Sequence, residues 1–239
     1  MSFNKLQMVL KGYPFSFNMN DIVTTLSEFI NSSSKENSNN YYYDDLSRLL
    51  SFLPPFSCDE DKNFDEKRNL VIHTRILETL KILFRNPENR QQFEIIHHGF
   101  LPALNYFFSK GVLIEKCTNI LANLCQEKQN VLVLLQSTKS QKDDVILNFL
   151  FQKLLDLKNS IYLDSTSTSG TTKTQFSMNF FSSSFAIFQS ICAHVEGKEY
   201  FIVQNTFSHI CELFNILFEK ENDKDNEWFQ KTFSIEEKN

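Results

Sequence analysis

Leu121-Ala122-Asn123-Leu124-Cys125-Gln126-Glu127-Lys128-Gln129-Asn130-Val131-Leu132-Val133-Leu134-Leu135 is the stretch on which the fold turns. It begins in an apolar stripe, Leu113, Cys117, Ile120, Leu121 and Leu124, spaced as one face of a helix. A polar turn follows, and then a short apolar run from Val131 to Leu135. The same layout stands on both sides of it, in Leu80 to Phe108 and in Phe188 to Phe218, with Leu121 to Leu155 as the middle copy. Leu83, Leu124 and Ile191 end the first helix of each copy, and Asn89, Asn130 and Gly197 stand six residues further on. Phe93, Leu134 and Phe201 stand ten residues on. Phe100 and Phe207 open a second helix in the outer copies, and the middle copy carries an insertion around Ser137 to Lys142. Repetition of a helical unit at about 40 residues is the mark of stacked helix pairs. Each unit has an apolar face that only its neighbour can cover.

Outside the repeat the pattern is also helical. Asn20-Asp21 can cap a helix bearing Ile22, Leu26, Phe29 and Ile30, ending at Asn31-Ser32-Ser33-Ser34 before a polar loop over 31–40. Asp44-Asp45 start a short helix with Leu46, Leu49, Leu50 and Leu53 in line, stopped by Pro54-Pro55. Cys58 to Asn69 reads as a charged linker. Ile72, Ile76, Leu80, Leu83 and Phe84 form the next stripe. Gln91 to His97 then makes a short helix that Gly99 breaks. Asp143-Asp144 can cap a helix bearing Ile146, Leu147, Leu150, Leu154 and Leu157. The polar stretch from Asp156 to Gln175 predicts a mobile loop over 158–176. Phe181, Phe185, Phe188 and Cys192 share a face, as do Phe207, Ile210, Cys211, Phe214 and Leu217. The expected organisation is an N-terminal helical segment over 1–64, a repeat domain over 65–220 and a polar tail over 221–239.

Composition agrees. Gly and Pro number 5 each in 239 residues, too few for the turns of a many-stranded sandwich or barrel. Phe occurs 25 times, mostly at core positions. The net charge of −5 and the lack of a dense Lys/Arg run point away from a nucleic-acid partner. The five Cys include no CxxC, and Cys117, Cys192 and Cys211 fall on apolar helix faces, which predicts reduced, buried thiols in a cytoplasmic protein. No secretory leader and no membrane span is expected.

Two motifs carry a resemblance. Asn119-Ile120-Leu121-Ala122-Asn123-Leu124-Cys125 resembles the asparagine-bearing third helix of the armadillo-like superfamily. Gly99-Phe100-Leu101-Pro102-Ala103-Leu104 is similar to that superfamily's glycine–apolar–leucine–proline helix start. With the repeat, the likeness runs from about Asn69 to Lys220, and rotatin-type and ataxin-ten-type proteins share the pattern. The resemblance implies an all-α, armadillo-like right-handed helical solenoid of stacked helix pairs. It also implies a setting in the centriole or cilium. In importin-alpha-type members the third-helix asparagine grips an extended peptide, and Asn123 occupies that place. Ile82 and Ser190 occupy it in the other copies, and Asn119 replaces the accompanying tryptophan, so the asparagine ladder for a nuclear signal is missing. Asn123 and Asn119 are the candidate partner-binding residues, with local hydrogen bonding as the alternative role for Asn123.

The sequence holds no G-x-S-x-G, P-loop, G-x-G-x-x-G or H-E-x-x-H. His97 and His98, adjacent on a helix, point about 100° apart and suit a single metal poorly. His194 is placed to cap a helix end. Asp44-Asp45 and Asp143-Asp144 read as helix caps, and Asp59-Glu60-Asp61 as a solvated acidic run. No catalytic, cofactor or metal residue and no small-molecule substrate is expected. The function expected is a non-enzymatic protein-binding scaffold or adaptor within a larger assembly. The alternatives are an exchange factor or chaperone for a small nucleotide-binding protein, and an enzyme using His97 or a Cys nucleophile, which replacing His97 and Cys125 would test.

Overall fold

A computed structural model describes residues 19–32, 43–55, 66–140, 145–166, 176–203, 208–209, 211–213 and 215. The described chain is helix and turn, with no strand among the described residues. Its helices are α1 (Met19–Ser32), α2 (Tyr43–Leu50), α3 (Glu66–Leu83), α4 (Pro87–Arg90), α5 (Phe93–Ile95), α6 (Leu101–Lys110), α7 (Ile114–Leu124), α8 (Lys128–Ser140), α9 (Val145–Thr166), α10 (Met178–Cys192) and α11 (Val195–Val203). A π turn, Ile96–Phe100, joins α5 to α6.

The three aligned turns share a pattern of backbone hydrogen bonds. The carbonyl of each helix-ending residue accepts from the amide three residues on, Asn86 to Leu83 at 3.2 Å, Glu127 to Leu124 at 3.1 Å and His194 to Ile191 at 3.1 Å. The next helix then closes its first turn alike, Arg90 to Asn86, Val131 to Glu127 and Lys198 to His194. In two copies the asparagine of the turn finishes the helix before it. Asn89 Nδ2 donates to Leu83 O at 2.9 Å, and Asn130 Nδ2 to Leu124 O at 3.0 Å. A helix end leaves carbonyls without intrahelical donors, so a buried amide there satisfies them. In the third copy Gly197 takes the slot, and its backbone itself lies against Ile191 O.

Corresponding helices pack side by side. α1, α3, α7 and α10 form one row of neighbours, α5, α8 and α11 a second, and α6 with α9 a third. The first row approaches closely because its buried polar residues are small. Thr79, Thr118 and Ser184 are fully buried and return their hydroxyls to the carbonyls of Arg75, Ile114 and Phe180. Aromatic edges join the third row to the first. Phe149 meets Phe108 at 5.4 Å and Phe176 at 6.2 Å, and Phe176 stacks on Phe180 at 4.3 Å.

Several expectations need correction. Gly99 does not break a helix: it lies inside the π turn, where the chain absorbs an extra residue and packs on Leu50 of α2. Residues 158–166 are not loop, because α9 runs to Thr166. Leu157 and Lys158 are buried, and Lys158 Nζ holds Glu212 and lies 3.4 Å from His209 Nδ1, so tertiary contacts carry the helix past the apolar stripe. Glu66 to Asn69, expected as the end of the charged linker, are the start of α3, and 58–65 lie outside the described residues. The buried stripe of α10 centres on Phe180, Ser184, Ile187 and Ile191, and Phe185 and Cys192 are only half-buried. Cys211 is exposed, since it is Leu213 that points inward. Asp44-Asp45 sit within the first turn of α2, which starts at Tyr43. The 31–40 loop beyond Ser32, Asp143-Asp144, Phe207, Ile210, Phe214, Leu217 and the 221–239 tail lie outside the described residues.

Candidate functional site

The row α3–α7–α10 carries polar side chains that pair from helix to helix. Lys116 Nζ of α7 donates to Glu78 Oε1 of α3 at 2.7 Å, while Arg75 Nη1 donates to Glu78 Oε2 at 3.0 Å. Burial alone would raise the Glu78 pKa, but the hydrogen bonds and charges of Lys116 and Arg75 hold it below the usual carboxylate value. Glu115 of α7 accepts from Ser177 twice, from the amide at 2.7 Å and from Oγ at 2.8 Å, at the start of α10. Ser177 in turn accepts from the Phe180 amide as the N-cap of α10. Ser183 Oγ donates to Asn119 Oδ1 at 2.6 Å.

A cleft of about 490 Å³ opens on this row between α3 and the turn that enters α7. Leu77, Leu113, Ile114 and Phe176 give it an apolar floor, and Glu78, Lys81, Glu115, Lys116 and Asn119 surround them. The turn is tightly built. Gly111, at φ 69, ends α6 with its amide on Phe107 O and Phe108 O, and the Val112 amide also reaches Phe107 O. Leu113 follows at φ 54, a left-handed conformation that costs an L-residue roughly 1–2 kcal/mol. A strained residue on the wall of a cleft is the kind of outlier from which a functional hypothesis starts.

Of the two asparagines singled out from sequence, Asn119 lines the cleft and Asn123 does not. Asn123 is half-buried one helical turn further on, and its side chain has no hydrogen-bond partner among the described residues. Glu78, Lys81, Lys116 and Ser183 escaped the sequence reading. Nothing in their local pattern separates them from ordinary surface residues, and only the packing of helices from different units brings them together.

The residues weighed for chemistry lie elsewhere. His97 and His98 are exposed on the π turn with ring centroids 4.5 Å apart. His194 serves its helix end through its backbone amide, which bonds Ile191 O; its side chain makes no cap among the described residues. Cys125 is buried, and desolvation pushes its thiol up to about 12, while burial pushes Cys117 higher still. Thiols held so far from ionisation are inert as nucleophiles at neutral pH. Among the described residues no group of three or more His, Cys, Asp or Glu is placed to hold a metal ion. No described helix is long and apolar enough to cross a membrane. Family models, curated proteins and solved structures give no match to this chain.

Proposed function

We propose that the chain is a non-enzymatic, armadillo-like right-handed solenoid that binds another protein along the α3–α7–α10 row, as a scaffold or adaptor within a larger assembly. The observation that carries this reading is the α3–α7 cleft, an apolar floor ringed by charged and amide groups on a row of side-by-side helices. Stacked helices offer such extended surfaces without reactive groups. The three equivalent turns support the solenoid reading, since one hydrogen-bond scheme recurs in each copy. The high-pKa thiol of Cys125 speaks against the cysteine-nucleophile alternative. A cytoplasmic setting rests on the cysteine pattern, and a centriolar or ciliary one on the sequence resemblance.

Affinity isolation with the full chain tests the proposal. Lys81→Trp places a bulky ring over the cleft from an exposed position and should leave the fold intact. Proteins recovered with the unchanged chain are expected to disappear with Lys81→Trp and to persist with Val195→Ser on α11. Equal recovery by both variants, or a chain that recovers no partner, would refute binding at this site.

A further inference from the structure

Resting on that reading, we infer that the α3–α7 cleft selects an acidic peptide segment of its partner, with a carboxylate next to an aliphatic or aromatic side chain. The inference comes from which hydrogen-bonding groups of the cleft are already spent. Both oxygens of Glu78 accept from cations of the chain itself, Lys116 and Arg75. Both oxygens of Glu115 accept from Ser177. The carboxylates of the cleft are thus engaged from within.

The donors are not. Lys81 is exposed and its ammonium has no partner among the described residues. The Lys116 ammonium bonds one carboxylate oxygen, Glu78 Oε1, which leaves further N–H groups of its three free to donate. Asn119 spends its Oδ1 on Ser183, and its Nδ2 has no partner among the described residues. An incoming segment therefore meets open donors, while each carboxylate oxygen of the cleft already accepts one hydrogen bond, which favours carboxylates and backbone carbonyls. A Lys- or Arg-rich segment would face the cations Lys81 and Lys116, and of the two carboxylates beside them Glu78 is already shared by Lys116 and Arg75. The apolar floor, with Leu113 and Phe176 half-buried, gives an adjacent apolar side chain a place to insert.

The test is a random peptide library displayed against the full chain, and in parallel against Lys81→Glu. Enrichment is expected for Asp or Glu beside Leu, Ile, Val or Phe. Synthetic peptides from that pool should bind about fivefold more weakly to Lys81→Glu, and more weakly in high salt. Enriched peptides that are basic, or show no charge preference, yet are lost with Lys81→Trp, would overturn the inference while keeping the cleft as a binding site. Acidic peptides that bind Lys81→Glu and Lys81→Trp as well as the unchanged chain would overturn it too, because they dock elsewhere. A library that yields no peptide sensitive to Lys81→Trp would count against the cleft itself.

Discussion

Gly197→Ala is expected to destabilise the protein by about 3 kcal/mol, near the upper end for overpacking a core. A Cβ on Gly197 would stand 2.0 Å from Ile191 O, 2.6 Å from Ile191 Cγ2 and 2.7 Å from Ile191 C. The nearest obstacle is backbone, so no rotamer change relieves it, and α11 would have to lift from the end of α10. That movement also disturbs α11 against α8, which it packs beside. In a chain of this size the loss corresponds to a fall in melting temperature of about 10 °C. Circular dichroism during thermal and urea unfolding reads both quantities. Glu196→Ala, at the exposed neighbouring position, is expected to stay within about 0.5 kcal/mol of the unchanged protein. An unaltered midpoint for Gly197→Ala would mean that the third turn is not built as described.

Arg90→Met is expected to cost about 3 kcal/mol, because one buried guanidinium ties together two successive units. Arg90 is 8% exposed. Its Nη1 donates to Phe84 O at 3.1 Å and Arg85 O at 2.9 Å, closing the end of α3. Its Nε and Nη2 donate to Glu127 Oε1 at 3.3 and 3.1 Å, in the equivalent turn of the next unit. Asn130 Nδ2 then donates back to Arg90 O at 2.9 Å. The methionine keeps much of the stem's packing but leaves two carbonyls and one oxygen of the Glu127 carboxylate without the donors Arg90 gave them. Glu127→Gln alone keeps an acceptor and is expected to cost about 1 kcal/mol. The double variant should show a coupling of about 1–2 kcal/mol between the sites, as expected for groups in one network. Urea unfolding of the four proteins gives that number, and purely additive effects would deny that the pair links the units.

Sequence exposed the periodic part of this architecture because the turns are fixed by local chemistry. A helix end needs donors for its carbonyls, so Asn89 and Asn130 stand at one register position, and the backbone bonds around Leu83, Leu124 and Ile191 repeat with it. What stayed hidden depends on approach between distant segments. The register of Gly197 beside Asn89 and Asn130 was legible, but its role was not: it fills the slot by removing a side chain instead of using one. Ser184 interrupts an apolar face and reads as polar, but its hydroxyl is satisfied by its own helix and its small size admits α7. The continuation of α9 through Lys158 depends on Glu212, whose partnership no local pattern announces. The cleft was the least legible feature. Asn119 and Asn123 look alike on one helix face, and only the neighbouring α3 and the Gly111–Leu113 turn place the first, and not the second, on its wall.

The most direct measurement uses the unmodified chain. A zero-length coupling reagent that joins carboxylates to amines in contact, followed by peptide mapping in a mass spectrometer, reports whether corresponding helices of successive units lie side by side. Glu78 of α3 and Lys116 of α7 are in contact at 2.7 Å, and the account predicts an amide between them as a prominent product. Lys116 coupled only to carboxylates elsewhere, with no peptide joining α3 to α7, would contradict it.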